Sequence, residues 1–109
     1  MTTGPLGAGV ATAVGMAMAA RYERGLLDPD APAGKSIFDH NIWVICSDGD
    51  LQEGVTQEAI SLAGHLGLEK LIVLYDSNDI QLDGPLEWAN SENVQEKYEA
   101  MNWHYIKVN

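Results

Sequence analysis

The chain has 109 residues, 46% hydrophobic and 20% charged, which makes it one small globular domain and not a disordered segment. Sixteen acidic residues against six basic ones give a formal net charge of −10, which argues against nucleic acid or an anionic membrane surface as the main partner. The same balance means that a phosphorylated ligand would need a cation to help it bind.

Residues 8–20 are mostly small and apolar, but no Lys or Arg precedes them, and Gly4, Gly7, Gly9 and Gly15 interrupt the region. This is neither a signal peptide nor a membrane span, and the cytoplasm is the default location. Pro5 suits the first turn of a helix. Leu6, Val10, Val14, Met18 and Tyr22 then recur every four residues, with alanines on most other faces, which predicts a buried helix. Arg21 and Arg24 suit its C-terminal dipole, and Gly25 stops it. Residues 28–36 read as a loop around Pro29, Pro32 and Gly34.

Asn41–Cys46 reads as a strand. Cys46, the single cysteine, cannot form an internal disulfide and reads as a buried hydrophobe. Asp50 and Glu53 have capping-box spacing, with Asp50 as N-cap of a helix carrying Val55, Ala59, Leu62, Ala63 and Leu66 and ending at Gly67. Leu71–Tyr75 is a second strand, broken by Asp76-Ser77-Asn78-Asp79. A loop with Gly84 and Pro85 follows. Ser91 caps a helix over residues 93–101, and Trp103–Val108 is a third strand. Strands alternating with helices, and buried on both faces, predict an α/β fold with a three-layer core and a parallel sheet.

In a β–α–β unit Asp48 and Asn78 both lie just past strand ends, on the same edge of the sheet, where ligands bind in open α/β folds. Their chemistry is all oxygen, which favours a hard cation over zinc. Gly49 lets a phosphate approach the backbone, and a helix N-terminus follows. A metal-bridged diphosphate fits these residues. Two other readings use them too. Asp and Gly after a strand are ordinary turn formers. Asp48-Gly49-Asp50-Leu51 also begins like the Asp-x-Asp-x-Thr of haloacid-dehalogenase-like phosphatases, with Asp48 as nucleophile, although Gln52 stands in place of Thr. A third possibility is a non-catalytic module that uses its apolar first helix for subunit contacts.

Three segments together are more specific. Thr2-Thr3-Gly4-Pro5-Leu6-Gly7-Ala8-Gly9, Ser47-Asp48-Gly49-Asp50-Leu51-Gln52-Glu53-Gly54 and Tyr75-Asp76-Ser77-Asn78-Asp79-Ile80-Gln81-Leu82-Asp83-Gly84 resemble the thiamine-diphosphate-binding domain of transketolases. The likeness runs through nearly the whole chain, including Met101-Asn102-Trp103-His104, and makes residues 1–109 a single partial domain of that fold. It implies Mg²⁺ or Ca²⁺ bound by Asp48, by Asn78 and by the backbone carbonyl of Ile80. It implies diphosphate contacts from Gly49 and Asn78, and an aminopyrimidine ring lying against Gly4, Pro5 and Leu6. Glu53 matches a glutamate in a carboxylate network at a subunit interface. Ser47 replaces the usual glycine of the signature, and Ala8 stands where the family often has Gln.

The implied activity is transfer of a two-carbon ketol unit between sugar phosphates, in a homodimer. The family's upstream histidines, pyrimidine-binding domain and C-terminal domain are not in this sequence, and Met1 matches a methionine that can be internal. The chain therefore reads as a fragment or one piece of a split enzyme, inactive without the remainder of the chain or a complementary subunit. His40, His65 and His104 share no metal-ligand spacing. Trp43, Trp88 and Trp103 read as core, Asp76 and Asp79 as turn carboxylates, and Glu92, Glu96 and Glu99 as a solvated helix face.

Overall fold

The computed structural model describes residues 1–81 and 84–108. Leu82 and Asp83 of the third motif lie outside the described residues. The elements are α1 (Ala8–Leu27), β1 (Ile42–Ser47), α2 (Asp48–Gln52), α3 (Gly54–Leu66), β2 (Leu71–Asp76), a short hairpin of β3 (Ile80–Gln81) and β4 (Gly84–Pro85), a 3₁₀ turn (Leu86–Trp88) and α4 (Val94–Ala100). β1 and β2 pair in parallel with α3 as the crossover, and Ile42 to Ser47 stand opposite Leu71 to Asp76. The α/β class with a parallel sheet is therefore present.

Alternation along the two strands decides where the core lies. Ile42, Val44 and Cys46 of β1, with Leu71, Val73 and Tyr75 of β2, face a helical layer. Val10, Ala13, Val14, Ala17 and Ala20 of α1 are buried, as are Ile60 and Ala63 of α3 and Tyr98 of α4. The expectation that both sheet faces are buried is not met by the described residues. Trp43 is 61% exposed, Ile45 76% and Leu74 48%, so the opposite face is an open apolar surface.

Helix α1 corrects the sequence reading in three ways. It starts at Ala8, because Gly7 is left-handed (φ 81°) and Pro5-Leu6 form a turn before it. It passes through Gly25 to Leu27 and is capped at Asp28, whose N–H reaches the Arg24 carbonyl. Its buried stripe is not the every-fourth series, since Met18 is 38% exposed and Tyr22 71%. Steps of four residues overshoot the 3.6-residue turn by about 40° each, so the series winds off the core face. Arg21 does not serve its own helix end; it donates to the Leu66 and Gly67 carbonyls and pairs with Glu69, capping the C-terminus of α3.

Other boundaries also moved. Asn93, not Ser91, caps α4, its side chain accepting from the Glu96 N–H at 3.2 Å. Residues 103–108 form no strand and make no ladder with β2. Side-chain anchoring takes over there: Trp103 Nε1 donates to the Ile60 carbonyl at 2.9 Å, and Trp103 and Tyr105 pack on the core. Trp43 and Trp88 are exposed, so of the three tryptophans only Trp103 is a core residue. Glu92, Glu96 and Glu99 are exposed as expected. No helix among the described residues is long and apolar enough to cross a membrane.

Two packing details generate predictions. A methyl group on Gly64 would lie 1.8 Å from the Met101 carbonyl oxygen, so α3 and the turn after α4 meet only because position 64 has no side chain. Gly64→Ala is expected to destabilise the fold by about 1–3 kcal/mol, seen as a lower urea midpoint. The Tyr98 hydroxyl is buried with no hydrogen-bond partner among the described residues, while its ring sits edge-on to Trp103 at 5.7 Å. Tyr98→Phe keeps the ring and removes the stranded hydroxyl, so it is expected to raise stability by about 1 kcal/mol in the same titration.

Candidate functional site

The in-register ladder between β1 and β2 sets the site. Cys46 stands opposite Tyr75 and Ser47 opposite Asp76, so the chain leaves both strands at the same edge. β1 passes directly into α2. Ser47 is the N-cap, in extended conformation (φ −122°, ψ −177°). Any residue adopts that conformation, so serine in place of glycine costs nothing there. Asp48 and Asp50 fall in the first turn, where the helix dipole favours carboxylates.

Asp48 is 2% exposed, yet its carboxylate is well provided with donors. Oδ2 accepts from the backbone N–H of Asn78 at 3.1 Å and of Asp79 at 2.9 Å. Oδ1 accepts from the Tyr75 hydroxyl. The expected meeting of Asp48 with the Asn78 loop therefore occurs, through the loop's backbone. Asp79 is left-handed (φ 59°), which Asp tolerates better than most residues, and the bend brings both amides onto one oxygen. The Asn78 side chain turns back on its own loop, Oδ1 accepting from the Ile80 N–H at 3.1 Å. Ile80 itself starts the β3–β4 hairpin, paired with Pro85.

Asp50 has a different job from the one its spacing suggested. It is not the N-cap of α3; Glu53 is. From the third position of α2 its Oδ2 accepts from the Ser47 N–H at 3.0 Å. Its Oδ1 accepts from the Gly7 N–H at 2.9 Å, tying the start of α1 to the end of β1 across 43 residues. Thr56, fully buried, donates its hydroxyl to the Asp50 carbonyl at 2.7 Å. Gly7 is confined by this knot: a Cβ there would lie 2.7 Å from Thr56 Oγ1 and 2.9 Å from Glu53 Cβ. Position 7 needs glycine for its positive φ as well.

This knot places the N-terminal arm beside the Asp48 turn. Leu6 lies over Gly49, its Cδ1 3.4 Å from where a Cβ of residue 49 would stand. Gly49 is buried, while Gly4, Pro5 and Leu6 are exposed at the rim. Pro5, Leu6 and Asp50 share an open trough with Trp43, Ile45 and Leu74 of the uncovered sheet face. Gly49, Leu6, Asp48 and Asn78 thus form one neighbourhood. The exposed Glu53 lies near it, at the cap of α3.

The electrostatics favour a cation. None of the ion pairs among the described residues includes Asp48 or Asp50. A buried carboxylate balanced only by neutral donors holds uncompensated charge. No three His, Cys, Asp or Glu side chains converge as a metal cluster among the described residues, so a cation here would rely on amide and carbonyl oxygens beside Asp48. Burial, then the Asp50 and Asp48 carboxylates, push the Cys46 thiol up to about 12, which makes it an inert core residue and not a nucleophile. Burial, then the bond to Asp48, push Tyr75 up to about 12 as well, so the phenol keeps its proton and Asp48 accepts. The phosphatase reading loses its second acid, because both oxygens of Asp50 are engaged by backbone N–H groups. His40, His65 and His104 are exposed on separate elements.

Sequence reasoning missed Tyr75, Thr56 and the Gly7–Asp50 bond. Tyr75 carried a signal: it ends an apolar strand at the register position opposite Cys46, with a polar tip that must find a partner when its ring is packed. Nothing local in the sequence points Thr56 toward Asp50.

Comparison with known proteins agrees with this arrangement. The family model described as transketolase, thiamine diphosphate binding domain, matches residues 1–109. A transketolase of Mycobacterium leprae is 56% identical over 108 residues, which cover 99% of this chain and 16% of that protein. A transketolase of Bacillus subtilis is 55% identical over 107 residues, covering 98% of this chain and 16% of that protein. Among solved structures, transketolase from Leishmania mexicana superposes with a TM-score of 0.86 at 52% identity, covering 99% of this chain and 16% of that one. Transketolase from Campylobacter jejuni superposes at 0.81 and 48% identity, covering 92% and 15%. The chain therefore spans about 16% of the length of the relatives it matches. Motifs, strand-edge geometry and family match agree, and the chain belongs to the transketolase thiamine-diphosphate-binding-domain family.

Proposed function

We propose that this chain holds the diphosphate end of thiamine diphosphate and its divalent cation, within a transketolase that moves a two-carbon ketol unit from a ketose phosphate to an aldose phosphate. The observation that carries the reading is the junction at Asp48: a buried carboxylate with no ion-pair partner among the described residues, fastened to the loop that bears Asn78 and Ile80. Mg²⁺, or Ca²⁺, would be held by Asp48, the Asn78 amide oxygen and the Ile80 backbone carbonyl. This donor set is all oxygen and suits a hard cation that keeps further positions for phosphate oxygens. Gly49 and Asn78 would meet the diphosphate, and Gly4, Pro5 and Leu6 would lie along the ring. The placement of Leu6 over Gly49 supports putting those two functions side by side.

When bound, the cofactor supplies the carbanion chemistry of ketol transfer. The residues of this chain bind and orient. Asp48 and the loop amides fix the edge of the sheet, and Asp50 holds the Gly7 turn so that the arm stays beside it. Asp48, Asp50 and the Tyr75 phenol are all committed to hydrogen bonds, which suits binding and orientation. The remainder of the transketolase chain or a complementary subunit, a homodimeric assembly, sugar-phosphate substrates and a cytoplasmic location complete the proposal.

Calorimetric titration of thiamine diphosphate with and without Mg²⁺ tests it. Binding is expected to need the cation, and Asp48→Ala is expected to weaken it at least 100-fold. Metal-independent binding, or binding untouched by the substitution, would sink the reading. The 109-residue chain by itself is expected to show no ketol transfer in a coupled assay; measurable turnover by the purified chain would contradict the division of labour described here.

A further inference from the structure

An ionised carboxylate offers about four acceptor positions, two on each oxygen. On Asp48 three are taken: two on Oδ2 by the Asn78 and Asp79 amides and one on Oδ1 by the Tyr75 hydroxyl. Among the described residues nothing takes the fourth, on Oδ1. The two oxygens are therefore unequal. Oδ2 is filled by the loop of Asn78 and Ile80, and Oδ1 keeps one position.

The loop amides alone do not orient Oδ1. Both act on the other oxygen, and a carboxylate held at one oxygen can still pivot about that atom through coupled changes of its side-chain torsions. The Tyr75 hydroxyl is the second anchor. Its ring is packed against the core formed by Val10, Cys46, Leu51, Ile60 and Tyr98, so the phenol oxygen is placed by rigid surroundings. The Ser77 side chain lies beside the same phenol on the loop side.

We propose that Tyr75 is a positioning residue of the cation site: its hydroxyl, placed by the core with Ser77 beside it, fixes the orientation of the Asp48 carboxylate and reserves the last acceptor position of Oδ1 for the cation. This rests on the cation-site reading above. Partners of metal ligands outside the coordination shell commonly tune affinity by 10–100-fold.

The test titrates Mn²⁺, read by the loss of its free electron-spin-resonance signal, into the intact protein in the presence of thiamine diphosphate. Tyr75→Phe, Ser77→Ala and Asp48→Asn are compared with the unmodified protein, and metal-free melting is recorded for each. Tyr75→Phe is expected to raise the Mn²⁺ Kd about 10–100-fold with little change in metal-free melting. Ser77→Ala is expected to raise the Kd by a smaller factor in the same direction. A Kd for Tyr75→Phe within twofold of the unmodified protein, while Asp48→Asn abolishes binding, would overturn the role of Tyr75 and leave the cation site standing. So would a fall in metal-free melting without a change in Kd, which is what a purely structural tyrosine gives. If the unmodified protein binds no Mn²⁺, or Asp48→Asn binds it equally well, the cation site itself fails and this inference with it. Should Tyr75→Phe not fold, the Ser77→Ala affinity decides: a Kd unchanged by that substitution overturns the proposal.

Discussion

A carboxylate at the end of β1 holds the loop that follows β2, and the geometry of the strand edge depends on that bond. Asp48 Oδ2 accepts two consecutive loop amides, and Asp79 takes a left-handed conformation to deliver the second. Hydrogen bonds to an ionised acceptor contribute about 1.5–3 kcal/mol each, against about 1 for neutral pairs. At 2% exposure the Asp48 oxygens have little water to bond, so these donors satisfy polar atoms that burial would otherwise strand. The bonds also place Asn78 and Ile80, the other two residues assigned to the cation. One residue thus serves the fold and the proposed site with different atoms.

Asp50 plays a parallel part for the N-terminal arm. Its carboxylate closes the first turn of α2 through Ser47 and accepts the Gly7 N–H at the start of α1. Thr56 fastens the Asp50 carbonyl from α3. The ends of α1, β1 and α3 thus converge on this one residue, Gly7 from 43 positions away. The glycine at position 7 is required by both conformation and space, because its φ is positive and a Cβ there would clash with Thr56, Glu53 and Val55. The two aspartates that look like a pair in the sequence work on opposite sides of the turn, one toward the β2 loop and one toward the arm.

One face of the sheet is uncovered among the described residues. Trp43, Ile45 and Leu74 present a continuous apolar surface, with the trough beside the arm opening onto it. Exposed apolar patches of this kind are uncommon on proteins that function alone. The chain matches about 16% of the length of transketolases. An apolar run marks a strand, but which of its faces is covered is decided by the elements packed against it, and here only one is.

Much of this protein was legible in the sequence. Apolar runs bounded by polar turns located β1 and β2, and their alternation with helices implied parallel pairing. The 30-residue separation of Asp48 and Asn78 then followed from one strand–helix–strand unit. Boundaries were less legible because local signals compete. Gly25 looked like a stop but is helical, Pro5 looked like a start but precedes a left-handed Gly7, and a series of every fourth residue imitated a buried stripe. Residues 103–108 have strand composition, yet no backbone ladder forms, because composition does not supply a partner. By itself the sequence determined the fold class and which oxygen-bearing residues gather at one strand edge, since periodicity and spacing are local properties. Only the tertiary structure decided that Asp50 binds Gly7, that Tyr75 meets Asp48, and how the two oxygens of Asp48 divide their tasks. Those contacts join residues 27 to 43 positions apart, and their geometry is set by the packing of whole elements and not by any residue's neighbours in the chain.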